Sequence, residues 1–303
     1  MRERTTIMKL RKFLITVAIA IATAANAVTQ GNGTITLKAS KVMCPLAEQW
    51  IRAYKNVNPN INIIMVDKDE EANLLLGIGN GEGYATNVGR VAVLPVAPSD
   101  NPLIKDIQNK EWSGKDLKRL FFQAEEEQYE DKDRLSKRER LAGSLTVISG
   151  NSKTSASTAF AKNFGFSRSD IRGKRIAGDD IYLLKAIEKN KQSVTFNAIS
   201  NLFDLNSRQL KNNITLFRLD VKKELAEALN SGNLDNALNE LEKQIPDLVV
   251  TERVSFSYRS FNTDIEAFLQ WVLADGQQIN HSAGVLRLDS KDVKSELLAL
   301  SEK

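Results

Sequence analysis

One stretch, ITLKASKVMCPLAEQW at positions 35–50, constrains the fold more than any other part of this sequence. Residues 35–37 alternate apolar and polar side chains, a pattern that predicts a short strand. Pro45 suits the first turn of a helix, because its ring fixes φ and no N–H is needed there. The loop between them holds Ser40 and Lys41, and a loop that leads into a helix start favours an anion. The stretch therefore predicts a strand–loop–helix unit that is either an anion-binding loop or an ordinary surface turn.

The patterns that follow this unit are typical of an α/β protein. Residues 60–66 and 91–96 have the apolar composition of strands. Between them, residues 72–78 predict a short helix that ends in a glycine-rich stretch. Strand, helix, strand, helix and strand in succession indicate a parallel sheet.

A second strand–loop–helix unit lies over residues 145–164. Its loop, SGNSKTSAST, is rich in hydroxyl groups that either bind an anion or cap the following helix. Further along, residues 178–180 (Gly-Asp-Asp) predict the N-cap of a helix over residues 182–189. The candidates for ligand contact in this second loop are Ser149, Ser152, Thr154 and Ser155.

The amino-terminal 27 residues have the three parts of a secretory signal peptide: a basic start, a short apolar run and an Ala-Asn-Ala cleavage site. Met1 and Met8 both remain open as the true start. The segment holds five of the 42 basic residues and one of the 38 acidic ones, so the mature chain is nearly neutral. That balance argues against nucleic acid as a partner. We expect a periplasmic protein with no membrane span after cleavage.

The sequence has few of the residue types that catalysis or metal binding commonly requires. Cys44 is the only cysteine and His281 the only histidine, which excludes an internal disulfide and argues against a zinc site or a Ser-His-Asp arrangement. The acids at 69–71 and 179–180 have no recognised metal-binding spacing, and acids in first helical turns are common. We therefore expect no enzymatic activity, no metal and no cofactor.

Six segments, in this order, resemble the phosphate ABC transporter solute-binding proteins, over residues 35–288. They are ITLKASKVMCPLAEQW, RVAVLPVAPSDNPL, WSGKDLKRLFF, LTVISGNSKTSASTAFAKNFG, GDDIYLLKAIEKNKQSVTFNAI and FLQWVLADGQQINHSAGVLRL. The resemblance implies a type 2 periplasmic-binding-protein fold. In that fold two α/β lobes, each a mixed, mostly parallel sheet flanked by helices, are joined by two crossover strands with the ligand between them.

Carried onto this chain, the resemblance implies a lobe 1 formed by residues 28–96 and 252–303 and a lobe 2 formed by residues 97–251. It implies a monomer that binds a small oxyanion, with phosphate the leading candidate, through Ser40, Lys41 and the four hydroxyl residues of the second loop. An inner-membrane ABC permease is the implied protein partner.

Several positions depart from the family pattern. Ala39 stands where the family usually has Gly, Val42 where it has Thr, and residues 147–148 (Val-Ile) where an Arg often precedes the second loop. Residues 67–71 form an acidic turn in place of a glycine-serine loop. These departures leave an alternative function open: a degenerate binding fold that serves as a periplasmic interaction or scaffold module without a small ligand. A junction plugged by Val42 and Met43 would favour that alternative.

Overall fold

The computed structural model describes residues 33–79, 84–122, 137–151, 156–258 and 260–302. The predicted signal peptide at 1–27 lies outside the described residues, as do Ser152, Thr154 and Ser155. Over the described ranges, no helix has the length and apolar character needed to cross a bilayer.

Nine strands and eleven α-helices are present over these ranges. The strands are β1 (Thr34–Ala39), β2 (Asn62–Met65), β3 (Leu74–Ile78), β4 (Tyr84–Pro98), β5 (Thr146–Gly150), β6 (Lys174–Ile176), β7 (Ser193–Ala198), β8 (Ile214–Leu216) and β9 (Val250–Tyr258). The helices are α1 (Cys44–Val57), α2 (Ile104–Gln108), α3 (Gly114–Phe121), α4 (Lys137–Ser144), α5 (Ala156–Asn163), α6 (Ile181–Lys189), α7 (Ile199–Leu202), α8 (Lys223–Asn230), α9 (Leu234–Lys243), α10 (Thr263–Leu273) and α11 (Ser290–Ser301).

The strands form one sheet in the order β2-β1-β3-β9-β4-β7-β5-β6, with β8 paired to β4. β1 is parallel to β2 and β3, and β5 is parallel to β6 and β7. Between these two parallel groups run β9 and β4, which pair antiparallel with each other and with their outer neighbours. The predicted α/β class, with parallel strands on either side of two crossover strands, is confirmed.

The predicted helix over 72–78 is wrong, because residues 74–78 form the strand β3. β3 pairs with β1 on one side and β9 on the other. Leu74 and Leu76 are buried and the residues between and after them are half-buried. A short apolar run fits a buried strand as well as a helix, and here pairing on both edges decides the outcome.

Buried apolar side chains divide into two clusters. The terminal cluster comes from β1, α1, β3, α10, α11 and the adjoining parts of β4 and β9, and the central cluster comes from the elements between residues 92 and 250, together with Leu286. Along β4 the buried residues pass from the terminal to the central cluster between Val91 and Ala92, and along β9 they pass back between Val250 and Val254. The lobe boundaries at 96/97 and 251/252 stay a prediction.

Helix α1 shows how the first unit is fixed in the terminal cluster. Leu46, Ala47, Trp50 and Tyr54 are its buried residues, spaced so that they lie on one face. Full burial of a large apolar side chain contributes about 1.5–3 kcal/mol. The indole N–H of Trp50 also donates to the Gly276 carbonyl at 2.9 Å, which ties α1 to the carboxyl-terminal part of the chain. The start of α1 therefore has a fixed position.

Gly89 lies on β4 just before the change of cluster between Val91 and Ala92. The β4–β9 register shifts between Asn87 and Gly89, which marks a bulge. A Cβ atom at position 89 would lie 2.6 Å from Val285 Cγ1 and 3.0 Å from the Leu286 carbonyl oxygen. Only glycine fits this approach of β4 to the segment at 285–286.

We expect Gly89→Ala to lower the free energy of unfolding by about 1–3 kcal/mol, because overpacking forces the bulge away from its neighbour. Urea unfolding followed by circular dichroism measures the change. The control is Gly143→Ala, since no atom lies within 4 Å of a Cβ built there and alanine favours helix α4. Equal stabilities of the two variants would contradict this account of Gly89.

Candidate functional site

The first loop joins the end of β1 to α1. The Ser40 carbonyl accepts hydrogen bonds from Met43 N at 2.8 Å and Cys44 N at 3.1 Å, so these two amides are already used. The Ser40 side chain is exposed and makes no capping hydrogen bond to the helical turn that follows it. Lys41 is also exposed. The first loop thus offers a hydroxyl and an ammonium group to a ligand.

Val42 and Met43 belong to the terminal cluster. Met43 is fully buried there and Val42 packs against the same cluster. The Met43 side chain therefore fills the interior of one half of the molecule and gives no support to the alternative in which it plugs the junction, while Val42 is only partly buried.

The second loop begins at the end of β5. Ser149 is fully buried, and its hydroxyl has no hydrogen-bond partner among the described residues. Ser157, in the first turn of α5, is equally buried, but its Oγ accepts from Gly150 N at 2.7 Å. Buried polar groups are almost always paired, so the hydroxyl of Ser149 is an exception at a strand end. Ligands of α/β proteins bind at the carboxyl ends of strands, which is where this hydroxyl lies.

The Asp180 side chain contacts a different helix from the one that the sequence pattern predicts it to cap. It stands at the N-cap position of α6, yet its side chain makes no capping bond to that helix. Instead Asp180 Oδ2 accepts from Ala156 N, the first residue of α5, at 2.7 Å. Asp180 therefore stands at the predicted N-cap position, but the prediction that its side chain caps α6 is wrong. Tertiary packing places that side chain beside the start of α5 instead.

The rest of the Asp180 carboxyl group is enclosed. Its Oδ1 atom is buried and has no hydrogen-bond partner within the described part of the chain. Burial raises the pKa of Asp180, and the hydrogen bond from Ala156 lowers it by a smaller amount. The carboxylate thus occupies a helix start, where the dipole and the free amides favour a negative charge.

Two contacts bring the first loop and α5 to the same region. Lys41 Nζ lies 3.2 Å from Asp179 Oδ2, which joins the loop of the terminal cluster to the turn before α6. The hydrogen bond to Asp179 raises the pKa of Lys41. The next residue, Asp180, contacts α5. Of the sequence-predicted residues, Lys41 contacts this turn, Ser40 precedes Lys41 in the chain, and Ser149 precedes Gly150, which donates to Ser157 in α5. The contact of Asp180 with α5 is one that no sequence pattern indicated.

His281 lies in a separate charged cluster that joins α9 to the segment at 281–287. His281 Nε2 is 2.7 Å from Glu242 Oε1, and Arg287 Nη2 is 2.5 Å from Glu242 Oε2. Burial raises the pKa of Glu242, but hydrogen bonds from His281 and Arg287 outweigh it and lower the pKa to about 2. The imidazole is thus paired with a carboxylate, and this contact gives no support to a Ser-His-Asp arrangement.

A cavity of about 820 Å³ lies between α8, α9 and Arg287. Its lining shares no residue with the described parts of the two loops. Four of its lining side chains are glutamates, at positions 224, 227, 240 and 242. A cavity of this charge does not suit an oxyanion. Over the described ranges, no group of three or more His, Cys, Asp or Glu side chains could hold a metal ion.

Two solved structures share this fold. One is a phosphate ABC transporter substrate-binding protein with bound phosphate from Clostridium perfringens, with a TM-score of 0.55 and 13% identity, covering 84% of this chain and 100% of that one. The other is an ABC-type phosphate transport receptor from Vibrio cholerae, with a TM-score of 0.51 and 10% identity, covering 84% of this chain and 100% of that one. No family model and no curated protein matches the sequence. The likeness at these identities is one of fold.

We expect Ser149→Ala and Ser157→Ala to affect stability differently, although both serines are fully buried. Loss of the Ser149 hydroxyl should change the free energy of unfolding by no more than about 1 kcal/mol in either direction. Ser157→Ala leaves the buried Gly150 N–H without an acceptor and should cost about 1–3 kcal/mol. Denaturant titration of both variants measures the difference, and a larger loss at Ser149 would contradict the structure.

We expect the Glu242 cluster to make stability depend on acid pH. A carboxyl group whose pKa is lowered on folding contributes fully above its ordinary value, 4.5, and loses that contribution as pH falls toward about 2. Glu242→Gln should lower the free energy of unfolding by about 1–2 kcal/mol at pH 7, a value reduced for partial exposure. It should also make stability depend less on pH in the acid range. Thermal unfolding between pH 2 and pH 7 measures it.

Glu240→Gln is the matched control on the same helix. Glu240 pairs with Lys243, an exposed neighbour one turn along α9, at 2.5 Å. Surface pairs of this kind are worth about 0–1 kcal/mol. If stability falls equally with acid pH in both variants, Glu242 is not the source of that pH dependence.

Proposed function

We propose that this protein is a periplasmic solute-binding protein that binds a small oxyanion, with phosphate the first candidate, at the junction of the two clusters. The ligand-contact residues in this proposal are Ser40, Lys41, Ser149 and the hydroxyl residues at 152, 154 and 155. An inner-membrane ABC permease would receive the ligand. The fold shared with a substrate-binding protein and a transport receptor supports a solute-binding role.

The observation that carries the proposal is the buried hydroxyl of Ser149 at the carboxyl end of β5, which has no partner among the described residues. It lies on the strand that leads into the predicted hydroxyl-rich loop, and α5 starts directly after that loop. Lys41, in the loop after β1, pairs with Asp179. The next residue, Asp180, accepts from Ala156 N at the start of α5. A buried hydroxyl, a helix start and an ammonium group are the kinds of donor that an oxyanion needs.

The acidic residues favour a second function. Asp179 already pairs with Lys41, and Asp180 already accepts from the first amide of α5. Donors that are satisfied within the chain do not need a ligand. The second candidate is therefore an interaction or scaffold module that uses the binding-protein fold without a small ligand.

Calorimetric titration of the mature chain with phosphate, sulfate and molybdate separates the two functions. We expect one of these anions to release or absorb heat and to raise the melting temperature, because a ligand that binds only the folded state stabilises it. No heat up to millimolar anion, with an unchanged melting temperature, would favour the scaffold function.

We expect Lys41→Met to weaken anion binding by about tenfold to a hundredfold, the value of a hydrogen bond to a charged group. The matched control is Lys55→Met, since Lys55 lies in the last turn of the helix that follows the first loop, α1, about 15–20 Å along its axis from that loop. Equal affinities of the two variants would remove Lys41 from the site.

A further inference from the structure

We propose that Asp180 is a built-in anion that occupies the start of α5, so that an incoming oxyanion must displace this carboxylate before it can bind. The proposal rests on the proposed function, in that it concerns the same junction. It assigns to Asp180 the role of setting how strongly the site binds anions.

The carboxylate is positioned as an oxyanion would be at a helix start. Asp180 Oδ2 accepts from Ala156 N at 2.7 Å, and α5 runs from Ala156 through eight residues. Backbone amides at such a start point at the bound anion, and the helix dipole favours its charge. The same amide cannot serve an external oxyanion in full while the carboxylate holds it.

The turn that carries Asp180 is fixed on both sides. Asn197 Nδ2, on β7, donates to the Asp180 carbonyl at 2.7 Å. Gly178 has a φ of 103°, and a Cβ atom there would lie 2.8 Å from the ring of Tyr182, so the turn depends on glycine at this position. Because backbone and neighbours hold the turn, the carboxylate reaches α5 in the folded ground state.

Helix α5 is held against the same strand. The ring of Phe160, in α5, stacks on the ring of Phe196, in β7, with centroids 4.2 Å apart and an angle of 8° between the planes. Phe196 directly precedes Asn197, so one strand fixes both the helix start and the turn that caps it. The contact between Asp180 and Ala156 therefore joins two elements that both pack against β7.

Two buried oxygens indicate that this arrangement is not complete as it stands. Asp180 Oδ1 and Ser149 Oγ are both buried, and neither has a hydrogen-bond partner over the ranges that the structure describes. A cap whose only purpose was stability would leave fewer buried polar atoms unpaired, because each one costs free energy. Both residues adjoin the first turn of α5, since Asp180 accepts from Ala156 N and Gly150, the residue after Ser149, donates to Ser157 Oγ. A site that exchanges the internal carboxylate for an external ligand accounts for both atoms.

A tethered carboxylate competes with every free anion. Its effective concentration is set by the turn that holds it, and the apparent affinity for an external ligand falls with the fraction of molecules in which the amide is free. Asp179 adds to this competition, because it holds the Lys41 ammonium. The two adjacent acids thus act on different donors, which allows their effects to be separated.

The test compares Asp180→Asn with Asp179→Asn in the mature chain, with sulfate as the probe and phosphate as a second anion. Both variants lose one negative charge at neighbouring positions, but only the first removes it from the group that accepts from Ala156 N. We expect Asp180→Asn to bind sulfate at least about tenfold more tightly than the natural chain by calorimetry. Asp179→Asn should change the affinity by no more than about threefold, because its ion pair is exposed.

Three results would overturn the proposal. If the natural chain binds sulfate and neither Asp180→Asn nor Asp180→Ala binds it more tightly, the side chain is not a competitor, although anion binding itself stands. If Asp179→Asn gains as much as Asp180→Asn, the effect is that of general charge. If the natural chain and both Asp180→Asn and Asp180→Ala are folded and bind neither anion, the proposed oxyanion function fails as well.

A measurement on the natural chain needs no variant to fold. The ¹⁵N-labelled mature chain is titrated with sulfate while the amide resonance of Ala156 is followed. We expect this resonance to move in step with binding, because sulfate replaces the carboxylate as its acceptor. Binding of sulfate that leaves the Ala156 resonance unchanged would overturn the proposal.

Discussion

Strands β4 and β9 pair antiparallel along all nine residues of β9, from Tyr84 opposite Tyr258 to Val93 opposite Val250, and both hydrophobic clusters are built on this pair. One end of the pair packs in the terminal cluster and the other in the central cluster. The bulge at Gly89 lies just before this change and closely approaches residues 285–286, of which Val285 packs in the terminal cluster and Leu286 in the central one. Every other contact between the two halves depends on the relative position that this pair sets.

Parallel strands on each side of the pair direct their carboxyl ends, and the helix starts that follow them, toward the junction. That geometry collects polar groups in one region: the Lys41 ammonium from one half, and the Ser149 hydroxyl and α5 start from the other. The net charge of this region is less positive than a phosphate site needs, because Asp179 and Asp180 supply two negative charges from the chain itself. Desolvation of a dianion is costly, so each donor already used by a carboxylate weighs against a tightly bound phosphate.

The fold was largely predictable from the sequence. The units at 35–50 and 145–164 each have the predicted strand and helix, and the α/β class follows from their alternation with other strands. The error at 72–78 shows the limit of periodicity, because Leu74–Ile78 is apolar enough for either a helix or a strand and pairing partners far along the chain decide. Of the candidate site, the sequence indicated Ser40, Lys41 and Ser149 as polar residues between strands and helices, but it did not indicate the pairing of Lys41 with Asp179.

The sequence by itself determined which segments are strands leading into helix starts, because apolar spacing, Pro45 and hydroxyl-rich loops are local features. It also determined that a lone histidine and a lone cysteine leave little catalytic chemistry. Only the tertiary structure decided that Asp180 caps α5 while standing at the start of α6, that Asp179 meets Lys41, and that His281 pairs with Glu242. These contacts join residues 24, 138 and 39 positions apart, and the physical reason is that a side chain's partner depends on which elements pack beside it, which no local pattern encodes.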